Sequence, residues 1–291
     1  MMIGRAGTFL YHRCSKPRGM SMRTLAVTGI FCSTFAMTAA AGMPPQPGVT
    51  LEPHRAVYDL TLAWASGQSG IEGLHGRFVY SFTGAPCEGY VTEMRMVTDI
   101  AREHGAMVTD QTSSSFEDLE KGAFSFSSKM FADYSLQSET AGEANRAADH
   151  MIAVKLGDQN PFDIGKAQFP TEYLANVLDA AAAGKHVYEA ASFDGSGEEV
   201  MRAVTLIGDR EKGVGSGPDQ WPVTTAYFPI ASQDGDQTPD YTVSMTLAAN
   251  GVSRDLLMDF GNFKMAGHLD KLEMLDPAAC EGLPTTAASQ R

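Results

Sequence analysis

Cys87 and Cys280 are the residues of this 291-residue chain with the most definite chemistry. The other two cysteines, Cys14 and Cys32, fall in an N-terminal stretch that reads as an export leader. Two thiols delivered to an oxidising compartment pair most simply as a disulfide. The bridge would close a loop of 193 residues, which loop-entropy arithmetic values at about 5 kcal/mol. Other constellations fall short. Ser69 lacks the second glycine of the G-x-S-x-G nucleophile elbow, and Ser196 and Ser216 lack both. Gly213, Gly215 and Gly217 miss the dinucleotide fingerprint because Pro218 takes the place of its third glycine. Outside the leader the histidines are His54, His75, His104, His150, His186 and His268, and none has a partner at metal-ligand spacing. Asp234-Gly235-Asp236 and Asp194-Gly195-Ser196-Gly197-Glu198 are turn chemistry before they are calcium loops. The expectation is therefore a protein with no metal, no cofactor and no catalytic residues. A hydrolase built from scattered carboxylates would need a converging pair that the sequence does not single out.

The leader sets the compartment. Arg5, Arg13, Lys16, Arg18 and Arg23 precede an uncharged, mostly apolar run from Leu25 to Ala40, which exits through Ala39-Ala40-Ala41. Basic start, short apolar middle and small-residue exit are the pattern of a signal peptide cleaved after Ala41. Met1, Met20 and Met22 are alternative starts. Cys32 follows Gly29-Ile30-Phe31 and lacks the small residue that lipid attachment needs before its cysteine. The run is short and too diluted by Ala, Thr and Ser for a transmembrane anchor. Cleavage removes five positive charges and no negative ones, taking the net charge from −13 to −18. So acidic a product is unsuited to nucleic acid or anionic lipid head groups. The expected localisation is periplasmic.

Most of the chain alternates with period two, the signature of half-buried strands. Ala56, Tyr58, Leu60, Leu62 and Trp64 mark one face of 54–64, and Phe78, Tyr80 and Phe82 another strand. Further strands are expected at 90–100, 122–130, 147–156, 186–193 and 199–208. Tyr241 to Leu247, Val252 to Phe260 and Phe263 to Leu275 are joined by Asn250-Gly251 and Gly261-Asn262, which makes an antiparallel meander. Pro170 to Ala183 alone reads as a helix. Tyr173, Leu174, Val177, Leu178 and Ala181 fall on one stripe, and Gly184 is a natural stop. The fold class that follows is mainly β, a strongly curved antiparallel sheet, half-open like a barrel, with one amphipathic helix in or over its opening. Residues 1–41 are the signal peptide, 42–48 an N-terminal tail, 49–283 one domain and 284–291 a disordered tail. Met94, Met96, Met151, Met201, Met245, Met258 and Met265 are spread along the strands. They are either core filler or the lining of an adaptable apolar surface.

Several stretches are together similar to one family. Leu51-Glu-Pro-His-Arg-Ala-Val-Tyr-Asp-Leu opens the pattern, followed by Pro86-Cys87-Glu88-Gly89-Tyr90, Phe169-Pro170-Thr171, Phe193-Asp194-Gly195-Ser196 and Trp221-Pro222-Val223. Asn250-Gly251-Val252-Ser253, Asp259-Phe260-Gly261-Asn262-Phe263 and Leu272-Glu273 close it ahead of Cys280. In order and spacing these resemble the envelope integrity protein B (EipB-like) family, exported proteins of Gram-negative bacteria formerly classed as a domain of unknown function. The resemblance spans about residues 49 to 281. It implies a periplasmic β-spiral with a helix in its opening, a Cys87–Cys280 bridge and a role in keeping the cell envelope intact. It brings no catalytic residues. Two places depart from the family pattern. Asp163 to Gln168 lacks the Leu-Pro often found before Phe169-Pro170, and Tyr173 stands where a histidine is expected.

These readings combine into a non-enzymatic envelope protein that binds another periplasmic protein through a sheet edge or cavity rim. The alternative is a carrier or sensor of lipid acyl chains in a concave cavity, similar to lipoprotein carriers. The rim candidates are Tyr173, Trp221, His54 and Arg55. Each also has a plain structural use, as a buried aromatic, a strand start or a hydrogen-bonded pair.

Overall fold

The computed structural model describes residues 50–278, apart from 214, 216 and 231–237, together with Cys280. The expected tails 42–48 and 284–291 and the leader lie outside the described residues. Fourteen strands run in sequence: β1 (His54–Ala65), β2 (Ile71–Ala85), β3 (Gly89–Arg102), β4 (Gly105–Asp118), β5 (Ala123–Ala132), β6 (Ser135–Arg146), β7 (Ile152–Leu156), β8 (Phe162–Asp163), β9 (Val187–Ser192), β10 (Met201–Ile207), β11 (Gln220–Pro229), β12 (Tyr241–Ala248), β13 (Ser253–Asp259) and β14 (Phe263–Met274). One helix, α1 (Pro170–Ala182), lies between β8 and β9.

All fourteen strands form a single curved sheet in the order β8-β7-β6-β5-β4-β3-β2-β1-β14-β13-β12-β11-β10-β9. Sequential neighbours pair antiparallel, and the seam between β1 and β14 joins the two halves. The chain thus walks outward from β1 to one edge, crosses through α1 to the other edge, and walks back. The edges approach each other at one short bridge: the Gln168 N–H donates to Ala191 O (2.8 Å), and the Phe193 N–H donates to Gln168 O (2.9 Å). The expected C-terminal meander is β12-β13-β14.

Alternation decides which side chains turn inward. Ala56, Tyr58 and Leu60 of β1 are buried while Arg55 and Asp59 are exposed, as period two requires. Tyr58, Leu60, Leu74, Ile100, Leu256 and Met265 pack one end of the concave face. Helix α1 fills the other end, setting Tyr173, Val177, Leu178 and Ala181 against Phe82, Tyr90, Ile207, Trp221, Val223 and Leu247. A third cluster gathers Phe124, Phe126, Ile152, Val154, Phe169 and Phe193 beside the helix start. The helix ends where Gly184 turns left-handed (φ 74°), and the N–H groups of Gly184 and Lys185 close on the carbonyls of Ala181 and Ala180. Among the described residues no helix is long and apolar enough to cross a membrane.

Strands β4 and β6 and the two-residue β8 are additions to the sequence reading, and β7 is shorter than the expected 147–156. Residues Ala147 to Met151 turn instead, with His150 at φ 69° and the Ala147 N–H donating to Met151 O (2.8 Å). The helix has the expected start at Pro170, but Phe169 before it supplies no side-chain cap.

Candidate functional site

The concave face beside the start of α1 holds a cavity of about 260 Å³. Its floor is two rows of side chains set by strand register. Phe82, Thr92, Ser115 and Phe126 lie side by side across β2, β3, β4 and β5, and Tyr80, Met94, Ser113 and Ser128 form the next row. Gln111 extends the polar line, while Pro170 and Leu174 of the helix and the Asp194–Ser196 loop close the other side. A second cavity of about 170 Å³ shares Pro170, Leu174 and Asp194 with the first and is walled by Tyr173, Val223, Tyr227, Met245 and Leu247.

The helix that separates the two cavities is held by a strand residue. Glu117 of β4 is 2% exposed, and its two carboxylate oxygens accept from the N–H groups of Thr171 (2.7 Å) and Glu172 (2.9 Å). This is the cap that Phe169 does not provide. A carboxylate there also meets the positive end of the helix dipole. Burial pushes the Glu117 carboxyl above its ordinary range, and the two backbone hydrogen bonds pull it partly back. Arg146 of β6 braces the same turn. Its guanidinium donates to Ala167 O (3.1 Å), pairs with Glu172, and lies 5.1 Å from the centre of the Phe169 ring.

The four candidates named from sequence do not form one site. Tyr173 lies in the wall of the second cavity, almost fully buried, and its hydroxyl shares a hydrogen bond with Thr205 (2.8 Å) that continues to Thr225 (2.7 Å). Removal from water pushes its phenol up to about 12. Trp221 is buried against the helix, with Arg210 over its ring at 5.6 Å. His54 is buried beside Tyr80 and Phe82, and its Nδ1 pairs with Glu52 O (2.8 Å). Arg55, next in the strand, is exposed on the opposite face, so the two are not a hydrogen-bonded pair. Glu117, Arg146, Gln111, Ser113 and Ser115 hold the helix or line its cavity, and none was singled out from sequence. Their one signal is polarity at inward strand positions. Cys87, in the turn between β2 and β3, is bonded to Cys280 beyond β14, with Cα atoms 5.9 Å apart. Among the described residues no three His, Cys, Asp or Glu side chains converge as metal ligands do.

The model of the family described as EipB-like matches residues 45–276. The chain belongs to the EipB-like family. The cell envelope integrity protein EipB of Brucella abortus (strain 2308) is 41% identical, covering 78% of this chain and 86% of the relative. A crystal structure of a β-barrel-like protein of a domain of unknown function from Brucella abortus superposes with a TM-score of 0.74 at 39% identity. That match covers 78% of this chain and all of the other.

Within the EipB-like fold, one strand segment stands apart. β7 pairs with β6 only over Gly142–Arg146, and Gly157 N–H reaches Ala141 O. From Leu136 to Thr140, β6 has β5 on one side and no strand on the other among the described residues. The hairpin that carries it turns at Asp133-Tyr134, both left-handed (φ 47° and 64°). Asp133 is fixed to Val108 by two hydrogen bonds (2.8 and 2.9 Å). Tyr134 is 91% exposed and Leu136 is 50% exposed.

Proposed function

We propose that this is an exported, non-enzymatic protein of the periplasm that supports envelope integrity by holding an extended segment of a partner polypeptide. The observation that carries this reading is the open edge of β6. Unpaired backbone groups on an edge strand recruit another strand, and natural proteins guard such edges with lysine, proline or a covering element. Among the described residues, Leu136 to Thr140 has none of these; its pairing with β5 slips by one residue at Gln137, and its one charge, Glu139, pairs with Lys129 across the hairpin. Tyr134 and Leu136 beside it suit a partner strand with an apolar side chain at that height. Kinship with a protein named for cell envelope integrity supports the process, and the cleavable leader read from Arg5 to Ala41 supports the compartment.

The test is complementation of cells lacking the protein. Ser138→Lys adds a charge to the open edge without touching the core. The variant should melt like the wild type and fail to restore growth in detergent. Full rescue by a stably folded Ser138→Lys would defeat the reading.

A second reading, a carrier of acyl chains, is favoured by the partly buried methionines on the concave side, Met96, Met107, Met245 and Met258. Stoichiometric lipid in the mass spectrum of gently purified protein would move the assignment there.

A further inference from the structure

Every inward residue of β4 from Thr109 to Glu117 is polar: Thr109, Gln111, Ser113, Ser115 and Glu117. A strand whose inner face meets a core should show the reverse. Two of the five have protein partners that explain them. Thr109 is hydrogen-bonded to Thr98 (2.6 Å), and Glu117 caps the helix. The side chains of Gln111, Ser113 and Ser115 make no hydrogen bond to any described residue, and all three line the 260 Å³ cavity.

We infer that this cavity binds a neutral, hydroxyl-bearing ring, the chemistry of a sugar unit. Register sets apolar rings and hydroxyls side by side on the floor. Phe82, Thr92, Ser115 and Phe126 make one row, and Tyr80, Met94, Ser113 and Ser128 the other. Such a surface offers flat apolar area together with donors and acceptors at strand spacing. A sugar ring has both, with C–H groups on its faces and hydroxyls around its rim. An alkyl chain is a poor occupant, because it would strip water from Gln111, Ser113, Ser115 and Ser128 and return no hydrogen bond. An anionic group is a poor one too. Asp194 is the one charged side chain among the described lining residues, and no lysine or arginine is among them. Its Oδ1 accepts from the Ser196 N–H (2.9 Å), which leaves Oδ2 to accept from a ligand hydroxyl. At about 260 Å³ the space lies below the range of roughly 300–1,000 Å³ usual for drug-sized ligands, so it takes one or two rings. This site is independent of the β6 edge and of any partner held there.

Titration calorimetry of the full exported chain tests it. The probes are maltose, cellobiose and N,N′-diacetylchitobiose as neutral sugars, with glucose 6-phosphate and decanoate as the anionic and alkyl comparisons. The expected result is a saturable isotherm for at least one neutral sugar. Ser113→Val and Ser115→Val suit a strand and should keep the wild-type melting temperature, while each weakens that isotherm by about tenfold. If either valine variant melts early, Ser115→Ala replaces it and should show the same direction of change. Ser138→Lys, on the far edge, should bind the sugar like the wild type. Absence of any sugar isotherm up to about 10 mM, a millimolar limit well below useful affinity, would overturn the inference. So would unchanged affinity in the serine variants, or tighter binding of decanoate or glucose 6-phosphate.

Discussion

Glu117 and Thr171 are 54 residues apart in sequence and 2.7 Å apart in space, joined by a hydrogen bond from the Thr171 N–H to the Glu117 carboxylate. That contact, with its companion at Glu172, seats the helix in the sheet. In Glu117→Gln one oxygen still accepts, while the new NH2 group faces a backbone N–H. The variant should lose about 1–3 kcal/mol, the cost of a buried donor without an acceptor. Urea denaturation at pH 7 measures it, and a loss confined to a few tenths would show the seat to be unimportant.

The same group sets a pH dependence. Burial raises the folded-state value of Glu117 above its ordinary 4.5. The folded state therefore holds the proton more tightly than the unfolded chain, and this group's contribution to stability falls as pH rises from about 4.5 through the raised value. The difference in stability between wild type and Glu117→Gln should shift across that window. Parallel stability curves would contradict the assignment.

His54 has the opposite sign. Burial lowers its folded-state value below 6.5, against a smaller opposing pull from the Glu52 carbonyl. Below pH 6.5 the unfolded chain takes up a proton that the folded one resists, so stability present at neutral pH is lost as pH falls. Denaturation midpoints should drop between pH 7 and pH 5 by less in His54→Phe than in the wild type. An identical drop would assign the effect to other groups.

The Cys87–Cys280 bridge ties the segment beyond β14 to the β2–β3 turn. Reduction or Cys280→Ser should lower stability by about 2–5 kcal/mol. Equal melting temperatures with and without reductant would contradict this.

Gly195 turns left-handed (φ 74°) directly over the Phe126 ring. A Cβ there would overlap the ring, which also forms part of the cavity floor. Gly195→Ala should cost about 1–3 kcal/mol from backbone strain and displaced packing. A thermal shift assay reads the result, and an unshifted transition would mean the loop yields freely.

Much of the architecture was legible because the inner faces of β1, β2, β12 and β14 are largely apolar at every second residue. The helix was legible from its stripe and from Gly184. β4 was not, because Gln111, Ser113 and Ser115 erase the alternation where a cavity replaces a core. β6 was not, because from Ser135 to Glu139 both faces meet solvent. The candidate site escaped for a related reason. Glu117 and Arg146 act on a helix that only the closed sheet brings to them, and neither has a local motif. Trp221 and His54, expected at the rim, are buried in the packed interior.

We propose that the open edge of β6 holds a partner polypeptide. A photo-crosslinking amino acid placed at Ser138, and separately at Leu206 on the exposed face of β10, tests it in living cells. The prediction is one discrete protein adduct from position 138, lost when Leu136 is also changed to Lys, and none of that mass from position 206. The same adduct from both positions, or only lipid at position 138, would contradict the claim.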